Sequence, residues 1–121
     1  MHEKREHDAL NIEIERGNFV RAALLAEHMR VPEEEQKDLQ GKALGQMAAI
    51  YRNTNGTKKL ALQYGFSKEE VKQILKEFAD EMKDEGNNKP LEPCYDYSTG
   101  KYLSFEEWMD HYLKFWDRIS G

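Results

Sequence analysis

Cysteine is nearly absent. Cys94 stands alone, so no internal disulfide can form, and a reducing compartment is the simpler setting. No apolar stretch approaches the length of a membrane span. The first ten residues, MHEKREHDAL, are rich in charge and lack the apolar run that export needs, so the expected location is cytoplasmic. Equally missing are HExxH, GxSxG, a phosphate-cradling glycine loop and a cysteine-nucleophile signature. The histidines His2, His7, His28 and His111 form no short cluster with one another or with Cys94, which argues against a metal site. Glu33-Glu34-Glu35 reads as the favourable acidic start of a helix before it reads as paired acid/base groups. The expectation is therefore no catalytic residue, no metal, no cofactor and no small-molecule substrate.

What remains is a chain of 121 residues, large enough for one core without metal or disulfide staples. Its composition, 39% hydrophobic and 34% charged, suits a small helical protein with a heavily charged surface. The net charge of −5 is unevenly spread: residues 1–38 carry −4, 39–56 carry +2, 57–83 carry +1 and 84–121 carry −4. Acidic ends disfavour nonspecific binding to a polyanion, which depends on neutralising phosphates, and leave the central third as the only basic stretch.

Hydrophobic spacing predicts a mainly α single domain over 1–121, with about six helices and no internal repeat. Leu10 and Ile14 place a helix over 3–15, although the alternation Leu10, Ile12, Ile14 suits a strand as well. Gly17-Asn18 punctuates the chain, and Asn18 is the expected N-cap of a helix over 18–30. Pro32 opens a third helix over 33–52, whose stripe is Leu39, Ala43, Leu44, Met47, Ile50 and Tyr51. Asn53 to Gly56 reads as a turn, with Thr57 capping a helix over 57–64. Ser67 with Glu70 and Ser104 with Glu107 are capping boxes that open helices over 67–85 and 104–119. Pro90 and Pro93 exclude helix between these two, and residues 94–103 carry the pattern of a short β-hairpin.

The segment 57–76, TKKLALQYGFSKEEVKQILK, is the most specific in the chain. Ala61, Gly65 and Val71 have the spacing of a small residue, a turn glycine and an apolar anchor. This segment resembles the helix-turn-helix motif of bacterial DNA-binding proteins. The resemblance covers about a sixth of the chain. It implies a DNA-binding transcriptional regulator, with Ser67, Lys68, Lys72, Gln73 and Lys76 in positions that touch bases or phosphates.

The last helix carries Phe105, Trp108, Met109, Tyr112, Phe115, Trp116 and Ile119 at helical spacing. Most of that stripe should close the core, with Phe105, Met109, Tyr112 and Trp116 facing the earlier helices. Trp108 and Phe115 fall on its flanks and are the candidates for contact with a partner protein or a second copy. The leading functional expectation is a non-enzymatic, regulatory protein–protein interaction module. The alternative is the DNA-binding regulator.

Overall fold

The protein is described here by a computed structural model that covers residues 2–118, with side chains from Asp8 onward. Six α-helices follow in order: α1 (His2–Glu15), α2 (Phe19–His28), α3 (Glu33–Gly45), α4 (Thr54–Tyr64), α5 (Lys68–Asp84) and α6 (Phe105–Lys114). A short antiparallel hairpin, β1 (Cys94–Asp96) and β2 (Lys101–Leu103), precedes α6. The mainly α expectation, with a hairpin before the last helix, agrees with this architecture. Ile119, His2 and His7 lie outside the residues whose side chains are described.

Central to the fold is α3, which packs on α2 along one side and on α5 along the other. Leu10, Ala22, Ala23, Ala26, Val31 and Leu39 form a smaller core among the first three helices. The main core gathers Leu44, Ala48, Ala49, Ala61, Val71, Leu75 and Phe78 with Phe105, Trp108, Met109, Leu113 and Trp116. Full burial of Leu44, Val71 and Leu75 stabilises the fold by roughly 1.5–3 kcal/mol each. Two glycines of α3, one helical turn apart, face α5, and the close approach of the two helices depends on Gly45. The ring of Phe78 lies where a Cβ on Gly45 would sit, whereas a Cβ on Gly41 would meet Ile74 at an ordinary 3.5 Å.

The local start and stop signals act much as their chemistry dictates. Ser67 Oγ accepts from the Glu70 amide at 3.2 Å while the Ser67 amide donates to Glu70 Oε1 at 3.0 Å. Ser104 and Glu107 repeat both bonds at the start of α6. Gly65 ends α4 in the left-handed region at φ 76°, and the Phe66 amide donates to the Ala61 carbonyl at 2.9 Å.

The expected helix over 3–15 is present as α1, with Leu10 buried and Ile12 45% exposed. Two expected N-caps need correction. Asn18 occupies the N-cap position of α2 but its side chain caps no amide there; its Nδ2 donates to Glu13 Oε2 at 2.8 Å. The first amide of α2, at Phe19, donates instead to Gln46 Oε1, a residue 27 positions away. Thr57 is no cap either. Asn53 accepts from the Gly56 amide at 2.9 Å and starts α4 at Thr54, leaving Thr57 buried inside the helix.

The third helix also changes character before its expected end. Residues Gln46–Ile50 form a π-helical turn, in which the Tyr51 amide reaches the Gln46 carbonyl five residues back. The wider turn breaks the 3.6-residue period. Ala48 and Ala49 therefore enter the core, whereas Ile50 and Tyr51, expected on the apolar stripe, are 50% and 65% exposed.

Candidate functional site

Pro90 and Pro93 deny the chain a helix, and the strands that follow alternate their side chains across the hairpin. Tyr95 sits directly opposite Tyr102, and Tyr97 lies two residues beyond Tyr95 on the same side. All three rings face solvent, at 46%, 70% and 91% exposure for Tyr95, Tyr102 and Tyr97. They pack edge-on against one another, with centroids 5.0 Å apart for Tyr95–Tyr97 and 5.3 Å for Tyr95–Tyr102. The other face of the hairpin turns Leu103 toward the main core and Asp96 toward α6.

A two-stranded hairpin of this length is unstable by itself. Two anchors hold it. Asp96 Oδ2 accepts from the Thr99 amide at 3.0 Å and from the Thr99 hydroxyl at 2.8 Å, which closes the turn through Gly100 at φ 69°. Asp96 Oδ1 accepts from the Tyr112 hydroxyl at 2.7 Å and so fastens the turn to α6. Burial pushes the Asp96 carboxyl upward, but the bonds from Tyr112 and Thr99 outweigh it and hold the group below its ordinary range. Burial and the Asp96 bond together raise the Tyr112 hydroxyl, against weaker opposition from Ser98 and Thr54.

Arg52 is the second anchor. It follows the π-helical turn with φ 48°, in the left-handed region that residues other than glycine rarely adopt. Its guanidinium donates to the carbonyls of Leu103 at 2.9 Å, Pro90 at 3.2 Å and Glu92 at 3.0 Å, while Nε donates to Ala49 at 3.1 Å. It also lies 5.6 Å from the Phe105 ring centroid. Burial lowers the Arg52 pKa, with nearby Cys94 opposing. One side chain thus ties the π-helical turn, the proline segment and β2 together. The tyrosine face rests on a fixed support.

The residues suggested by the helix-turn-helix resemblance are arranged differently. Lys68, Lys72 and Lys76 do form one exposed row along α5. That row borders the seam with α6, where Lys68 and Lys72 share a cleft of about 230 Å³ with Asp110, Leu113 and Lys114. Lys76 lines the adjoining cleft with Asp80, Glu106 and Asp110. Gln73 is exposed on another side of the helix and donates to Glu77 Oε1 at 3.0 Å. The Ser67 hydroxyl is engaged by the cap.

The flank residues of α6 separate. Trp108 is buried, 4% exposed, between Phe105 at 6.0 Å and Tyr112 at 5.3 Å, so it offers no surface to a partner. The core takes a wide arc of α6 that runs from Trp108 through Phe105 and Met109 to Leu113. Phe115 is 42% exposed beside His111 and Arg118.

Sequence reasoning missed the tyrosine face and Arg52. The alternation of Tyr95 and Tyr97 carried the first signal, but its sidedness needs the strand register. Nothing local marks Arg52, whose partners in the proline segment and β2 lie 38 to 51 residues away. Among the described residues no helix is long and apolar enough to cross a membrane, and no three His, Cys, Asp or Glu side chains converge as a metal set. No family model matches the chain, and no curated protein or solved structure matches it either.

Proposed function

We propose that this protein is a non-enzymatic interaction module that docks a partner protein on the Tyr95–Tyr97–Tyr102 face, in a cytoplasmic regulatory role. The observation that carries this reading is the exposure of three tyrosines on one side of a doubly anchored hairpin. Tyrosine supplies a large contact area with an apolar body and a polar tip at little entropic cost, and a fixed backbone lowers that cost further. A protein occupant is favoured over stacked nucleic-acid bases, because the rings meet edge to face and form no flat platform. The lone Cys94, exposed at the start of β1, favours a reducing compartment.

The test places a photo-crosslinking amino acid at Tyr97 and, as a control, at exposed Leu62 on α4. A single protein adduct at position 97, abolished when Tyr95 and Tyr102 are changed to serine, supports the reading. Equal labelling at both positions overturns it.

DNA binding is the second reading. Its support is the left-handed Gly65 turn followed by the exposed row Lys68, Lys72 and Lys76. Asp110 and Glu106 across the seam offset part of that charge. Changing Lys72 and Gln73 to alanine would then weaken specific binding by roughly 1–3 kcal/mol for each base that is no longer read. Failure of the wild-type protein to shift any pool of duplex DNA at low salt removes this reading.

A further inference from the structure

We propose that the groove between α1 and α3 is a second docking site, built for a cationic amphipathic helix of a partner protein. It stands apart from the tyrosine face and does not depend on it. Both α1 and α3 pack against α2, and between them lies an open groove of about 420 Å³. Its floor is aliphatic, made by Leu10 and Ile14 of α1, Val31 before α3, and Leu39 of α3. Its rim carries three carboxylates, Glu34, Glu35 and Asp38.

Charge identifies the occupant. Among the described residues the one cation lining the groove is Lys42, which is held by Asp38 at 3.3 Å and leans toward the Phe19 ring at 5.7 Å. Among the described residues, Glu34 and Glu35 have no cation within ion-pair distance, and Glu33 takes Lys37 at 3.5 Å. An apolar floor beneath a rim of three carboxylates, of which Glu34 and Glu35 have no ion-pair partner among the described residues, complements a ligand with an aliphatic ridge flanked by Lys or Arg. Backbone chemistry selects a helix over a strand. The walls are helices, whose carbonyls away from the ends are engaged within the helix, so an extended peptide would find few acceptors for its own amides there. A helix satisfies them internally and presents apolar residues at i, i+3 or i+4, and i+7.

The basic row of this chain, Lys68, Lys72 and Lys76, does not fit the description, because it lies on α5, whose apolar residues Val71, Leu75 and Phe78 are inside the core. The proposed occupant is a helix of another protein, and self-association of the chain without peptide binding would overturn it.

The probe is a synthetic peptide of about 18 residues, long enough to hold a helix, with leucines at helical spacing and lysines on both flanks. Titration into the full chain is followed by amide NMR shifts. The expected result is saturable shifts centred on Leu10, Ile14, Val31 and Leu39. Affinity should fall by roughly tenfold or more in Glu34→Lys/Glu35→Lys, since like charges across an interface repel strongly. The neutral pair Glu34→Gln/Glu35→Gln should give a smaller loss, and it serves if the reversal perturbs α3. A Tyr97→Ser variant should bind the peptide as the wild type does, which separates this site from the tyrosine face. Equal affinity for a scrambled peptide of the same composition overturns the proposal. So do shifts centred elsewhere, or an affinity indifferent to both substitutions.

Discussion

The Tyr112 hydroxyl donates to Asp96 Oδ1 at 2.7 Å, so a helix of the main core fixes the turn of an exposed hairpin. This hydrogen bond joins the part of the fold that supplies stability to the part proposed to meet a partner. It also makes the hairpin sensitive to pH. A carboxyl held below its unfolded value contributes stability that is present above that value and lost as pH falls through the folded pKa. Tyr112 acts in the opposite range: its raised hydroxyl contributes stability present below its unfolded pKa and lost as pH rises through the folded one.

Carbon NMR titration of the Asp96 carboxyl should therefore give a midpoint below the ordinary value of about 3.9. In Tyr112→Phe the midpoint should move upward, and the hairpin should lose roughly 1 kcal/mol, the typical net worth of a partly exposed hydrogen bond. An unchanged midpoint would show that Thr99 alone sets the carboxyl.

Arg52 should be the least replaceable polar residue of the protein. Arg52→Ala leaves the carbonyls of Pro90, Glu92 and Leu103 without their donor, and a loss of about 2–3 kcal/mol is expected. Arg52→Lys should recover only part, because a single ammonium cannot reproduce the planar fork. Hydrogen exchange should show the amides of residues 94–103 opening before those of α3 and α5.

Two alanine substitutions one turn apart should have opposite signs. Gly41→Ala meets only ordinary contact with Ile74 and should stabilise α3 by up to about 1 kcal/mol through helix propensity. Gly45→Ala drives a methyl into the Phe78 ring and should destabilise by roughly 1–3 kcal/mol despite the same propensity gain. Thermal melts of the two variants, run side by side, check the sign of each.

Trp108 and Phe115 should part company in the same way. Trp108→Ala opens a cavity in the main core and should cost roughly 3–5 kcal/mol. Phe115→Lys should leave the melting curve nearly unchanged, since the ring is 42% exposed. If the native chain sediments as a dimer through this edge, the Phe115→Lys variant should sediment as a monomer. Denaturation together with sedimentation velocity measures both effects.

Local chemistry was enough to determine the helical class, both capping boxes, the Gly65 turn and the position of the hairpin. Each of these is set by residues within a few positions of one another: Ser67 with Glu70, Ser104 with Glu107, and prolines that exclude α-helix around 90–93, where the chain makes only a single 3-10 turn over Lys89–Leu91. The row of Lys68, Lys72 and Lys76 was legible for the same reason, since helical spacing alone puts them on one flank. Tertiary structure decided the rest. Whether Ile50 and Tyr51 face in or out depends on a π-helical turn that no local pattern announces. The amide that starts α2 is capped from Gln46, and the hairpin is clamped by Arg52, both across long loops in sequence. Trp108 is buried because the core around α6 needs its volume, a demand set by the neighbouring helices. The α1–α3 groove exists only because two helices share α2 without filling the space between them. Periodicity reports which residues share a face. What that face meets is settled by the packing of segments distant in the chain.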